Sequence, residues 1–329
     1  MSYESTNTLP KGSKLSLVRE TISLLGYKTI ATNTEIAGQV GSYFWFKEED
    51  FKSWTGIELQ VYQKGNAITV DSRSRVSRSY WDLLHQNKTI SLLKGIFGGS
   101  FETDAGKNRY WHPEGIPPTA MCSGAYLARW RFKNSLQRTK IYLSARNLSG
   151  EVAREKSSGF QFFDEFNPRL LSNNMLLPFA IGVWEDYFRS TFAAVLMALP
   201  ERKSVFKKVR ISDLQLERIA SKALSVEDAI SECLSFQRPS VIAENFKLLD
   251  SKLDLAAVLR KPYRRRKLSL FEGIESMVLV RNSLVHTGEL DLNLFDSKLN
   301  SQLSDIVVAV DRVYDALGKH YSFKPIRDY

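Results

Sequence analysis

Cysteine, histidine and long apolar runs are all scarce in this 329-residue sequence. The two cysteines, Cys122 and Cys233, form no Cys-x-x-Cys pair, and only four histidines are present, which excludes a disulfide framework and disfavours a zinc site. The longest uncharged stretch, residues 170–184, is too short and too polar to span a bilayer, and the N-terminus has no apolar signal region. We therefore expect a soluble, cytoplasmic protein without membrane contact, bound metal or cofactor.

Positive charge, by contrast, is abundant and unevenly distributed. The 46 Lys and Arg outnumber the 36 Asp and Glu, for a net charge of +10, and residues 51–150 hold 15 basic against 6 acidic side chains. The apolar (43%) and aromatic (12%) fractions are those of an ordinary globular protein, which excludes a disordered or coiled-coil chain. The positive surplus favours a polyanionic partner, but charge alone does not define the chemistry.

The first half of the sequence alternates apolar and polar residues, as strands do. Apolar residues at helical spacing predict a short leading helix at 14–25, which stops at Gly26. Residues 57–61 and 67–70 then alternate on either side of a Lys-Gly-Asn turn and predict a β-hairpin.

A second alternating pair is predicted further along, at 126–132 and 140–143. Between the two pairs, several glycines and prolines punctuate loops and disfavour long helices. We therefore predict a mainly β domain with small helices over residues 1–165, with a sensing or target-recognition role.

The second half follows a helical period. After a charged, small-residue segment at 150–159, which we interpret as a linker, apolar residues recur every three or four positions over 181–199 and again over 299–317. The prediction for 170–329 is an all-α bundle of about five helices. The whole chain is accordingly expected to be an α+β protein of two domains.

One predicted helix, 270–286, carries an arginine on an otherwise apolar stripe. Ser269 and Glu272 have the spacing of a capping box at its start. The stripe consists of Phe271, Ile274, Val278, Arg281 and Val285. An unpaired guanidinium out of water costs several kcal/mol. Arg281 must therefore pair with a carboxylate or a phosphate, or lie on a surface that is solvated only in the monomer. Asn282 and His286 lie four residues apart on the adjacent stripe, within mutual reach.

Residues 281–286 read R-N-x-x-x-H late in an amphipathic helix, and this pattern resembles the R-x4-6-H motif of the HEPN family (higher eukaryotes and prokaryotes nucleotide-binding). Trp184 and Glu185, near the start of an earlier helix, and a further long helix after the motif add to the likeness. The resemblance covers about residues 172–320 and none of the first half. It implies an all-α HEPN-like domain and a metal-independent RNase of the toxin, abortive-infection or CRISPR-linked kind.

The chemistry of the motif side chains suits cleavage of RNA by its own 2′-hydroxyl. An imidazole titrates near neutral pH, so we assign His286 as general base or acid. A guanidinium matches two phosphate oxygens, so we assign Arg281 as the phosphate clamp and Asn282 as the residue that orients one of the two. By resemblance, the product ends in a 2′,3′-cyclic phosphate and no metal is required.

One arginine and one histidine are few for two proton transfers. Proteins of the family pair two motif helices across a two-fold axis, so the resemblance implies a homodimer with one composite site. It also implies a role in microbial anti-phage defence or as a toxin, with an antitoxin or a phage-derived trigger as a further partner. Within one chain, Glu185 or Asp186 is a candidate partner for Arg281 in the resting state.

Two basic segments are candidate RNA contacts. Six of the eight residues 260–267 are basic, a density suited to following a phosphate backbone. They are Arg260, Lys261, Arg264, Arg265, Arg266 and Lys267. In the first half, Arg129 and Arg131 alternate with Trp130 and Phe132, as cations and rings do on single-strand platforms, although the same alternation also suits two rings that face a core.

Two other functions stay open at the level of sequence. A non-catalytic nucleic-acid or partner-binding module, whose degenerate HEPN-like half only dimerises, would bind RNA without cutting it. A DNA endonuclease centred on Glu102, Asp104 and Lys107 would instead require magnesium.

Overall fold

The computed structural model of the chain describes residues 2–32, 36–148, 155–264 and 267–327. These residues form two compact units, one made by the chain up to Ser123 and the other by Gly124–Arg327. The first unit contains an antiparallel sheet and the second is helical, so the predicted mixture of sheet and helices is confirmed. The predicted domains, 1–165 and 170–329, divide the chain later than the boundary between these units.

The first unit is built on an antiparallel sheet. Its strands are β1 (Tyr3–Thr8), β2 (Lys28–Ile30), β3 (Gln39–Trp45), β4 (Ile57–Lys64), β5 (Ala67–Ser74), β6 (Ser100–Thr103) and β7 (Gly106–Lys107). Among the described residues they form one seven-stranded sheet in the order β2-β3-β4-β5-β1-β6-β7. The strand that comes first in the sequence thus lies inside the sheet, paired with β5 on one side and β6 on the other.

The predicted hairpin and leading helix are both confirmed. β4 and β5 pair in register from Ile57 opposite Ser74 to Lys64 opposite Ala67. Two helices, α1 (Leu15–Leu24) and α2 (Tyr80–Phe97), belong to this unit. One face of the central strands is buried with these helices in a shared apolar core, while Glu58 and the other alternate residues of β4 are half-exposed.

A single helix, α3 (Ala120–Leu148), occupies the region where we predicted strands at 126–132 and 140–143. That prediction was wrong. One stripe of buried side chains runs along α3 at every third or fourth position and consists of Cys122, Ala125, Arg129, Phe132, Leu136, Thr139, Leu143 and Arg146. Two arginines and a threonine belong to this buried stripe. The pattern of apolar residues in the sequence therefore does not show its helical period.

Nine further helices are described in the second unit. They are α4 (Gln161–Glu165), α5 (Pro168–Ala198), α6 (Lys203–Phe206), α7 (Asp213–Ala220), α8 (Val226–Glu232), α9 (Pro239–Leu249), α10 (Leu255–Arg260), α11 (Leu270–Thr287) and α12 (Asp296–His320). The predicted helical second half is confirmed, with more helices than the five expected because α4, α6, α8 and α10 are only one or two turns long. None of the described helices is long and apolar enough to cross a membrane.

Three long helices, α5, α11 and α12, pack on one another at the centre of the second unit. Trp184, Phe188 and Phe192 of α5 are fully buried there. α5 begins earlier than the predicted position 181, because Asn167 caps its first turn and Pro178 is accommodated inside it. Residues 150–154, half of the predicted linker at 150–159, lie outside the described residues.

Candidate functional site

The helix that carries the R-N-x-x-x-H pattern, α11, begins and ends close to its predicted bounds. The Ser269 hydroxyl accepts the Glu272 N–H at 3.4 Å, and Gly288 closes the helix in the left-handed conformation with φ +73°. The second half of the predicted capping box does not form, because the Glu272 carboxylate accepts from Arg260 Nε at 3.4 Å instead. With α11 bounded by Ser269 and Gly288, residues 281–286 lie in its last two turns.

The stripe that holds Arg281 runs out of the core toward the surface. Phe271, Ile274 and Val278 are buried, Arg281 is half-buried, and Val285 is 51% exposed. Arg281 therefore lies at the edge of the apolar core and is partly exposed to solvent.

Arg281 has one polar side-chain contact in the described part of the chain. Its Nη1 donates to Asn282 Oδ1 at 2.9 Å, while its Nε is buried without a hydrogen-bond partner. The suggested resting-state pair of Arg281 with Glu185 or Asp186 is not formed among the described residues, and Glu185 accepts from Arg189 at 2.6 Å instead. The buried Nε is out of reach of a ligand, so Nη2 is the nitrogen of Arg281 that could donate to an incoming anion.

His286 is exposed in the last turn of α11. At 3.6 residues per turn, five residues separate Arg281 from His286 by roughly 140° around the helix, whereas Asn282 is only about 40° from His286. The bond to Asn282 draws the Arg281 guanidinium toward the stripe that Asn282 shares with His286. The structure thus brings Arg281 and Asn282 together, while His286 is exposed to solvent one turn beyond Asn282.

The chain that follows α11 is fixed by two buried asparagines of α5. Asn174 Oδ1 accepts the Asp291 N–H at 2.9 Å, and its amide nitrogen donates to the Asp291 carbonyl at 3.2 Å. Asn173 donates to the Leu294 carbonyl at 2.8 Å. Sequence reasoning missed these residues, because nothing in a single sequence links two asparagines to a loop more than a hundred positions away.

A buried ionic network adjoins these asparagines. Asp296 accepts from Arg146 at 2.6 Å, from Arg169 at 3.0 Å and from Asn173 at 2.9 Å, and the two arginine side chains are only 4% and 5% exposed. Burial is the largest influence on the Asp296 carboxyl and raises its pKa, but the Asn173 bond and the two guanidinium charges outweigh it, so the pKa is lowered overall. The network joins α3, α5 and the start of α12.

Glu275, one turn before the motif on the same stripe as Asn282 and His286, has a structural role. Its carboxylate accepts from Arg238 Nε at 2.9 Å and from the Ser240 N–H at 2.8 Å. Burial raises the Glu275 pKa, but these hydrogen bonds from Ser240 and Arg238 outweigh it and the pKa is lowered overall. The carboxylate therefore joins the start of α9 to α11 as an anion.

The basic segment that precedes α11 is partly built into the fold. Arg312 of α12 donates to the carbonyls of Lys261 and Pro262, each at 2.8 Å. The Tyr263 ring has Arg264 on it at 5.0 Å and Arg312 at 5.3 Å, within cation–π range. These contacts hold the backbone of 261–264 against α12.

The cations of this segment differ in their availability. Arg260 is occupied by Glu272 and by the Phe271 ring at 4.0 Å. Lys261, Arg264 and Lys267 are exposed, and no described carboxylate pairs with them. The predicted contacts Arg265 and Arg266 lie outside the described residues. The available charges precede the start of α11, while His286 lies at its end, about 24 Å away along the axis at about 1.5 Å per residue.

The two arginines proposed from the first half have opposite environments. Arg129 is 2% exposed, and its Nε donates to Asp311 Oδ1 at 2.8 Å, with its guanidinium over the Tyr314 ring. The prediction of Arg129 as an RNA contact was wrong, because helix α3 turns this residue into the core of the second unit. Arg131, two residues on, is exposed and stays a candidate.

No protein-family model, curated protein or solved structure matches this chain. The candidate site must therefore be judged on its own chemistry: a surface imidazole, a guanidinium with free donors and an amide that holds it. Such a set can transfer a proton and bind an anionic oxygen. Across the described ranges, no three His, Cys, Asp or Glu residues are arranged to hold a metal ion.

Proposed function

We propose that this protein is a metal-independent endoribonuclease whose active site is built from the end of α11. His286 moves the proton of the attacking 2′-hydroxyl or of the leaving oxygen, Arg281 binds the scissile phosphate, and Asn282 orients the guanidinium. The reaction yields a 2′,3′-cyclic phosphate and a 5′-hydroxyl. By resemblance, anti-phage defence or toxicity is its biological setting, with an antitoxin or a phage-derived trigger as a partner.

The observation that carries this proposal is the state of the Arg281 side chain. A guanidinium at the edge of an apolar core usually pairs with a carboxylate, because leaving it unpaired is costly. Arg281 instead contacts a neutral amide, and no carboxylate of the described residues pairs with it. A bound phosphate diester could accept from its Nη2 and would supply the missing negative charge.

The angular arrangement within α11 supports a composite site of two chains. Within one α11, Arg281 and His286 diverge by roughly 140°, so a single chain supports a phosphate clamp and a proton-transfer group on different faces. A second copy related by a two-fold axis brings each His286 toward the other chain's Arg281. We therefore include a homodimer in the proposal.

Cleavage by the purified chain in EDTA tests the proposed function. We expect the parent to cut single-stranded or structured RNA, and His286→Ala and Arg281→Ala each to slow cutting by at least about a hundredfold, the usual contribution of such groups. His112→Ala and Arg218→Ala, which remove exposed side chains of the same types, should cut as the parent does.

The outcomes separate the competing functions. Circular dichroism should be unchanged in all four variants, since His286, His112 and Arg218 are exposed and Arg281 is only half-buried. If the parent and both α11 variants bind RNA but none cuts it, the chain is a binding module. If cutting appears only with magnesium and survives in both α11 variants, the active site lies elsewhere.

A further inference from the structure

A concentrated set of apolar side chains is exposed on α4 and on the first turns of α5. We call it the phenylalanine patch; it comprises Phe160 (68% exposed), Phe162 (67%), Phe163 (60%), Phe166 (67%), Leu171 (36%), Met175 (76%) and Phe179 (43%). The last three recur every four residues and form one outward stripe of α5. Elsewhere α5 is mostly buried, so the stripe is the outer face of a core helix.

Hydrogen bonds and ring contacts hold the phenylalanine patch in place. Asp164, near the end of α4, is 4% exposed and accepts from the Ser157 hydroxyl at 2.5 Å and the Ser158 N–H at 2.9 Å. The rings contact one another, with centroids 5.2 Å apart for Phe162 and Phe166 and 5.8 Å for Phe162 and Phe163. The rings are thus held as a cluster whose outer surface is exposed.

The size of the patch matches an interface. At about 200 Å² per phenylalanine side chain, its five rings leave roughly 600 Å² uncovered. The largest apolar patch of a typical monomer is about 300–600 Å². With Met175 and Leu171 added, the patch approaches the roughly 800 Å² that each partner contributes to a stable complex.

The charge pattern disfavours RNA as the occupant. Platforms for single strands interleave aromatic rings with cations. Residues 155–179 contain two basic residues, of which Arg169 is buried in the network with Asp296, so Lys156 is the one exposed cation. The patch offers apolar contact area without charges for a phosphate backbone, which suits a protein surface of the same character.

The patch also lies at the motif end of α11. Asn174, next to Met175, is bonded in both directions to Asp291, which follows the Gly288 cap by three residues. The first turns of α5 therefore run beside the end of α11, where His286 is exposed. A partner seated on the patch approaches the candidate active site.

We propose that the phenylalanine patch is the surface through which two copies of this chain bind each other, and that this contact brings the two His286 ends together. An apolar patch without charge pattern is self-complementary, as an isologous two-fold contact requires. This inference rests on the proposed function for the composite site, but the contact between copies is measurable without it.

Gly182 continues the outward stripe of α5, and no contact within the described chain requires a glycine at this position. A Cβ built on Gly182 meets nothing within 4 Å, and the residue is exposed. Glycine in a helix costs about 1 kcal/mol relative to alanine, so its presence on this face suits close approach by another backbone. Gly273 of α11 also has nothing within 4 Å of a built Cβ and serves as its matched control.

Sedimentation of the full chain tests the contact. We expect the parent to be a dimer and the double variant Phe162→Ser, Phe166→Ser to dissociate at least about a hundredfold more readily, because each dimer loses four buried rings. The control double variant Leu214→Ser, Leu216→Ser removes side chains that are 67% and 51% exposed on α7 and should dimerise as the parent does.

Gly182→Gln supplies a second test that removes no apolar surface. It should weaken the dimer, whereas Gly273→Gln should not. A monomeric parent overturns the proposal and leaves the patch to a different partner, and so does a phenylalanine variant that dimerises as tightly as the parent. A dimer that dissociates as expected but cuts no RNA supports the contact and refutes the ribonuclease.

Discussion

Replacement of Asp296 by asparagine should destabilise the second unit severely. The substitution keeps the size of the side chain but removes the one charge that accepts from both Arg146 and Arg169. Glu155, a second acidic partner of Arg169, is 73% exposed and compensates little. Two guanidinium groups, each about 95% buried, would then lose the carboxylate that they share.

The expected magnitude follows from the burial of the pair. Removing one partner of a buried ion pair costs about 3–5 kcal/mol, because the charge left behind is desolvated and uncompensated. For a unit of roughly two hundred residues, each kcal/mol lowers the midpoint of thermal unfolding by about 2–4 °C. Asp296→Asn should therefore lower the midpoint of the second unit by roughly 10 °C.

Thermal and urea unfolding followed by circular dichroism measure this loss. Asp315→Asn is the matched control, because Asp315 pairs with Arg327 on the surface, where both side chains are about half exposed. Exposed pairs contribute at most about 1 kcal/mol. If Asp296→Asn loses no more stability than Asp315→Asn, the network does not stabilise the fold as argued.

Two further predictions concern pH and salt. Burial, followed by the charge of Lys88, lowers the pKa of His85 to about 4, so the unfolded chain takes up this proton first as pH falls. The free energy of unfolding of the first unit should therefore fall between about pH 6.5 and 4. The loss should be no more than about 3 kcal/mol, because His85 is partly exposed. In urea titrations, His85→Leu should flatten this pH dependence. Replacing both Lys261 and Arg264 by alanine should reduce the salt slope of RNA binding by roughly 1.4, at about 0.7 per phosphate contact on a single strand, in fluorescence titrations. The same variant should cut RNA too short to span about 24 Å as fast as the parent does. A pH profile that His85→Leu leaves unchanged, or an unchanged salt slope, would contradict the respective reasoning.

Local patterns predicted those parts of the fold in which hydrophobicity and position agree. The hairpin of β4 and β5 has alternating residues around a turn with Gly65, and α12 has an apolar residue at every third or fourth position. The pattern failed in α3, where Arg129 and Arg146 lie on the buried stripe and pair with acids far along the chain. A buried arginine looks like a surface arginine until its partner is known.

The candidate site divides in the same way. The bounds of α11 and the emergence of Arg281 from the core follow from periodicity and a capping residue. The bonds from Asn173 and Asn174 to the chain after α11 depend on tertiary contacts that a single sequence does not specify. The exposure of the phenylalanine patch was likewise not predictable, because phenylalanine is usually a core residue.

The position of β1 inside the sheet has a consequence for synthesis of the chain. Its two neighbours, β5 and β6, end at Ser74 and Thr103. On the ribosome, the first strand therefore waits for almost the whole first unit to emerge before both of its edges are covered. Such distant pairings fold slowly and expose strand edges meanwhile, so chaperones that shield nascent chains should affect the yield of this unit more than that of the helical one.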